Sequence, residues 1–110
     1  MIDPTLMWAV GLFEGEGCIT HSTTRHGKKR PKLAIAMTDK DIMQRFVDFI
    51  GYGILRERKG TNKPAYEWQT EKESEVIRIL DMFLPHLGQR RAYKALNVLD
   101  HLEVSKQLSF

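Results

Sequence analysis

Apolar residues recur along this chain with a helical period in four segments and with a period of two in the stretches between them. The first helix is expected from about Pro4 to Glu14, with Asp3 as N-cap and Pro4 at the first helical position. Gly17 then releases the chain into a strand. The run Cys18-Ile19-Thr20-His21-Ser22-Thr23-Thr24-Arg25 is rich in β-branched and hydroxyl side chains, which favour extended backbone. His26-Gly27-Lys28-Lys29-Arg30-Pro31 reads as the loop that turns it. Lys32-Leu33-Ala34-Ile35-Ala36-Met37 alternates large and small residues, so Leu33, Ile35 and Met37 should face a core and Lys32, Ala34 and Ala36 the opposite side.

Thr38-Asp39-Lys40-Asp41 has the form of a capping sequence, with an acid three residues after the threonine. Ile42, Phe46, Phe49 and Ile50 follow at helical spacing, and Gly51 and Gly53 open a second hairpin. In it Ile54 to Arg58 pairs with Ala65 to Gln69 across the turn Lys59-Gly60-Thr61-Asn62-Lys63, with Tyr66 and Trp68 pointing inward. A third helix carries Val76, Ile77, Leu80, Phe83 and Leu84 and is bounded by Pro85. A fourth, from about Gln89, carries Ala92, Leu96, Leu99 and Leu102.

The 110 residues suit one small domain, 1–110, and 42% hydrophobic content is ordinary for a globular core. No apolar run approaches the length of a membrane helix and no secretion signal is visible, so the chain reads as soluble and intracellular, with no membrane partner. Cys18 is the only cysteine, which excludes an intrachain disulfide and suits a reducing compartment. Without a thiol partner or a suitably spaced histidine it is expected to be a small buried residue of the first strand. His21, His86 and His101 show no ligand spacing either and read as packed or exposed histidines.

Charge changes the picture more. The net charge is only +3, yet Arg25, Lys28, Lys29, Arg30 and Lys32 stand without an acid between Gly17 and Thr38. Arg56, Arg58, Lys59 and Lys63 form a second cluster. Either cluster alone could be a solvated surface. Because both fall in segments that read as β-hairpins, they also suit a sheet surface that tracks nucleic-acid phosphates.

The stretch with the sharpest chemistry is Ala9-Val10-Gly11-Leu12-Phe13-Glu14-Gly15-Glu16-Gly17. Glycine costs about 1 kcal/mol relative to alanine inside a helix. Gly11 and Gly15, four apart on one face, therefore imply that another backbone comes very close. Glu14 and Glu16 oppose the negative end of the helix dipole, and no Lys or Arg lies between Met1 and Thr24 to offset them. A cation from outside the segment is implied.

This string resembles the signature of the LAGLIDADG homing endonucleases, at the glycine, the following leucine, both acidic positions and the final glycine; both acids are Glu where the family name has Asp. The order of elements, αββαββαα, is also that of one LAGLIDADG subunit. Met37-Thr38-Asp39-Lys40-Asp41 and Leu87-Gly88-Gln89-Arg90-Arg91-Ala92 are similar to the family as well. The resemblance implies an α+β fold in which a concave antiparallel four-stranded sheet binds double-stranded DNA. It implies a homodimer, since 110 residues hold one motif, with Trp8, Gly11, Leu12 and Gly15 at the helix–helix contact.

The activity so implied is Mg2+-dependent phosphodiester hydrolysis at a near-palindromic site. Glu16 is the expected metal ligand, with the Gly15 carbonyl beside the metal, and glutamate supplies the hard oxygens that Mg2+ takes. Arg90 or Arg91 would be the basic residue near the scissile phosphate and Asp39 the polar residue that positions water, while Glu14 is expected to be structural. By strand parity the DNA face would carry Thr20, Ser22, Thr24 and His26, then Arg30 and Lys32, then Arg56, Arg58, Glu67 and Gln69. Arg suits guanine, Gln adenine, and Glu the cytosine amino group. Two other classes keep part of the pattern. A non-cleaving nucleic-acid binder, either a maturase-like RNA partner or a DNA-binding regulator, would need the basic sheet but not Glu16. A structural dimer would need only the glycines. The lack of flanking splice-domain sequence favours a free-standing protein.

Overall fold

A computed structural model describes the backbone of residues 3–58 and 64–108, with side chains described as far as Leu102. Its elements are α1 (Pro4–Glu16), β1 (Gly17–Thr23), β2 (Lys29–Met37), α2 (Lys40–Ile50), β3 (Ile54–Arg58), β4 (Ala65–Thr70), α3 (Glu73–Phe83), a short 3-10 turn (Leu84–His86) and α4 (Gln89–Leu108). This is the expected αββαββαα order. All strand pairings are antiparallel, and the sheet order is β1-β2-β4-β3, so the two hairpins join through their inner strands.

The register fixes which side chains share a face. Ile19 stands opposite Leu33, Ile35 opposite Trp68, Met37 opposite Tyr66 and Leu55 opposite Trp68. These residues meet the helices in one core, with Ile19, Leu33, Ile35 and Trp68 buried among Ala9, Val10, Phe13, Met43, Phe46, Val76, Ile79, Leu80, Phe83 and Ala95. Aromatic edges lock the layers: Phe46 meets Trp68 with ring centroids 4.9 Å apart, and Phe13 meets Phe83 at 5.7 Å. Trp68 Nε1 donates to the Tyr52 carbonyl at 3.0 Å, which ties the start of the second hairpin to the core. Desolvation pushes the Tyr52 hydroxyl above the usual tyrosine range, against a smaller opposing effect of Arg78.

Several boundaries differ from the sequence reading, each for a physical reason. α1 runs two residues past Glu14, because the Gly17 N–H still reaches the Phe13 carbonyl before the chain turns extended. The N-cap of α2 is Asp39 and not Thr38. β2 begins at Lys29 and passes through Pro31, since β4 pairs with it only from Leu33 onward. Between Lys29 and Lys32 it has the freedom of an edge strand, where a missing proline donor is tolerated. The turn is correspondingly shorter: Lys28 N donates to Thr24 Oγ1 at 3.1 Å and Gly27 takes a φ of +79°. Among the described residues of α4 the buried positions are Ala95 and Leu102, and Leu96, expected inward, is 46% exposed. The second turn, with Lys59 and Lys63, lies outside the described residues.

Candidate functional site

The sheet face away from the helices carries a patterned set of polar side chains. Thr20 stands opposite Lys32, Ser22 opposite Arg30, Ala34 opposite Gln69, and Glu67 lies between Ala36 and Arg56. Strand parity thus brings Thr20, Ser22, Arg30, Lys32, Arg56, Arg58, Glu67 and Gln69 to one surface. Thr24 and His26 are not on a strand: they sit in the turn beyond β1, and the Thr24 hydroxyl is occupied by Lys28 N. The basic run of the first hairpin is divided in the same way. Arg30 and Lys32 join the open face, Lys29 stands opposite Thr23 on the other side, and Arg25 and Lys28 belong to the turn.

Three residues of this face escaped the sequence reading. Cys18, expected to be buried, is exposed and stands opposite Ala34, because Ile19 and not Cys18 carries the inward parity. Ile54, opposite Gln69, is 50% exposed beside Arg30 and Arg56. Glu71, just past β4, accepts from Ser22 Oγ at 3.0 Å. The inward–outward alternation of the neighbouring strands is the signal that could have found the first two; Glu71 lies beyond the periodic segment. Acids temper the basic surface at two points. Glu67 Oε2 lies 2.7 Å from Arg58 Nη2, with the glutamate side chain 16% exposed and the arginine 63%.

At the edge of the same sheet, α1 runs straight into β1, so Glu16 is followed by Gly17 and then by Cys18 on the open face. Glu16 is exposed, and its carboxylate has no hydrogen-bond or ion-pair partner among the described residues. The cation that α1 lacks comes from α4. Arg91 donates through Nε to the Glu14 carbonyl at 2.9 Å and through Nη1 to the Gly17 carbonyl at 2.6 Å. Its Nε also lies 3.4 Å from Glu14 Oε2, and Glu14 Oε1 accepts from Gly88 N. Both carboxylate oxygens of Glu14 are thus engaged within the chain.

Arg91, one of the two basic candidates, is half-buried with its donors directed at the end of α1, whereas Arg90 is exposed beside it. Arg90, Arg91 and Lys94 line one cleft with Glu14, Gly17 and Cys18. Asp39 is exposed at the start of α2 and its side chain makes no capping hydrogen bond.

The oxygens at this end suit a hard divalent cation. Of the last carbonyls of α1, that of Phe13 takes Gly17 N and that of Glu14 takes Arg91; that of Gly15 has no partner among the described residues. One chain offers a single free carboxylate here, and the described residues contain no cluster of three His, Cys, Asp or Glu.

The outer side of α1 is unlike an ordinary surface helix. Gly11 and Gly15 are exposed, and no atom of the described chain comes within 4 Å of where a Cβ would stand at either. Met7 is exposed nearby, while Trp8 and Leu12 are half-buried, the Trp8 ring covered by the Arg45 guanidinium at 4.0 Å. Packing within the chain therefore does not account for either glycine.

Comparison with known proteins identifies the fold and the family. The sequence pattern that defines the LAGLIDADG endonucleases matches residues 9–103. No curated protein matches the sequence. The fold is similar to the homing endonuclease I-TnaI, at 23% identity and a TM-score of 0.74, over 96% of this chain and 76% of that one. It is similar to the homing endonuclease I-CvuI in complex with a target (20%, TM-score 0.71), over 86% of this chain and 63% of that one. The intron-encoded homing endonuclease I-CeuI complexed with DNA superimposes with a TM-score of 0.78 at 14% identity, covering 96% of this chain and 57% of the other. The chain is thus shorter than each of these, spanning 57% to 76% of their lengths. At such identities the structural likeness shows the fold, and the sequence match over residues 9–103 shows the family: the chain belongs to the LAGLIDADG endonucleases.

Proposed function

We infer that two copies of the chain pair through α1 and hydrolyse both strands of a near-palindromic double-stranded DNA site with the help of Mg2+. The observation that carries this reading is the continuity of α1 with the open sheet face: the helix whose glycine side is uncovered delivers Glu16 into the edge strand of the basic surface. Pairing through Gly11 and Gly15 would bring the two Glu16 carboxylates together. Two such acids repel unless a cation lies between them.

Glu16 and the Gly15 carbonyl would hold the metal, whose contribution when bound is to activate water and stabilise the leaving 3′ oxygen. Arg90, exposed at the start of α4, would meet the phosphate, whereas the Arg91 side chain donates to the end of α1. Lys32, Arg30 and Arg56 would neutralise backbone phosphates, and Gln69, Glu67 and Arg58 present base-reading groups. Two-fold symmetry in the protein is mirrored in paired half-sites.

The test is to expose a randomised duplex library to wild type and Glu16→Gln, with Mg2+ and with EDTA, and to sequence the ends. Palindromic cuts that need both Mg2+ and Glu16, with Glu16→Gln still binding the recovered sites, are expected. Cuts by Glu16→Gln would remove the metal assignment. Binding without cuts would make the protein a non-cleaving regulator.

A further inference from the structure

We propose that Arg91 is a positioning residue that keeps the Gly15 carbonyl and the Glu16 carboxylate free for a divalent cation, and that Glu14 is present to cancel its charge. The inference rests on the reading of Glu16 as a metal ligand. It concerns how the end of α1 is held.

A helix ends with carbonyls that lack intrahelical donors, and these are satisfied by caps, water or other groups. At the end of α1 the sharing is uneven. Arg91 bridges the carbonyls of Glu14 and Gly17, at 2.9 Å and 2.6 Å, on either side of the two residues that would meet the cation. The Gly17 N–H takes the Phe13 carbonyl. The Gly15 carbonyl and the Glu16 side chain remain without a partner among the described residues, both oxygen donors of the kind Mg2+ and Mn2+ accept. A planar fork suits this task, because a guanidinium presents its N–H groups in fixed directions, whereas the three donors of an ammonium turn freely on a flexible stem. The Arg91 guanidinium is also half-covered, lying 5.9 Å from the centre of the Phe13 ring.

A cation so close to a metal site would by itself repel the metal. Glu14 offsets this, with Oε2 3.4 Å from Arg91 Nε and Oε1 held by Gly88 N from the turn before α4. The pair is close to neutral as a unit, so it holds the backbone without opposing a second cation. This also accounts for two acids at the end of a helix that has no basic residue in its last turn.

The probe is Mn2+ itself, titrated into the full chain and followed by electron paramagnetic resonance, with circular dichroism to confirm the fold. Glu16→Gln serves as the control for the underlying reading, and wild type binding no more Mn2+ than Glu16→Gln would remove that reading and this proposal with it. With wild-type binding established, Arg91→Lys is expected to weaken Mn2+ about 10-fold, as loss of groups that orient metal ligands does. Glu14→Gln is expected to weaken Mn2+ several-fold, and more at low salt than at high salt, because it leaves the arginine charge uncancelled. Wild-type Mn2+ affinity in a folded Arg91→Lys would overturn the proposal. If Arg91→Lys does not fold, Glu14→Gln decides, and a salt-independent wild-type affinity there would overturn it equally.

Discussion

A methyl group on residue 17 would stand 2.5 Å from both the Phe13 ring and the Phe13 carbonyl oxygen. Gly17→Ala is therefore expected to cost about 1–3 kcal/mol, as overpacking does, and to lower the melting temperature in a thermal circular-dichroism scan by at least several degrees. The glycine that ends the family motif thus has a reason in this chain's own packing. Glu67 makes a prediction of the opposite kind. It puts a mostly covered carboxylate against Arg58 on a surface otherwise suited to phosphates. Glu67→Gln should tighten binding to random-sequence DNA and reduce discrimination between sites, both measurable by fluorescence anisotropy. Single residues were also where the sequence was least legible. Arg91 looked equivalent to Arg90, because nothing local reveals that its partners are the carbonyls of Glu14 and Gly17, more than seventy positions away in the chain.

At the scale of elements the sequence was readable wherever one face was buried and the other was not. Leu33, Ile35 and Met37 share a face with Tyr66 and Trp68, so parity alone assigned Lys32, Arg56, Glu67 and Gln69 to the other. It failed where pattern and pairing part company. Pro31 looked like a loop residue, because a sequence does not state that β4 stops at Leu33 and leaves Lys29 to Lys32 paired on one side. Leu96 looked inward because several leucines of α4 share its spacing, yet Ala95 and Leu102 define the buried side. The four strands present Arg30, Lys32 and Arg56 as separate cations on one surface. Each that neutralises a phosphate steepens the logarithmic salt dependence of binding by about one. Lys32→Ala combined with Arg56→Ala should flatten that slope by about two, measured by anisotropy titrations across a salt series, without altering the melting temperature by more than a degree or two.

For the whole molecule the decisive surface is the outer side of α1. Within one chain a Cβ at residue 11 meets no neighbouring element within 4 Å, and replacing glycine in a helix gains up to about 1 kcal/mol of helix propensity. Gly11→Leu should therefore leave the monomer as stable as wild type or slightly more so, while sedimentation shows the pair separated and DNA cleavage lost. A variant that stayed paired would place the contact elsewhere. If two copies pair through this uncovered helix as proposed, the enzyme has a concentration threshold built into its shape. Well below the dissociation constant of the pair, the number of complete catalytic centres rises with the square of the amount of chain, so halving the supply removes three quarters of the cutting. A nuclease that must meet itself before it can act is nearly silent when scarce, and the two missing side chains at Gly11 and Gly15 would set where that silence ends.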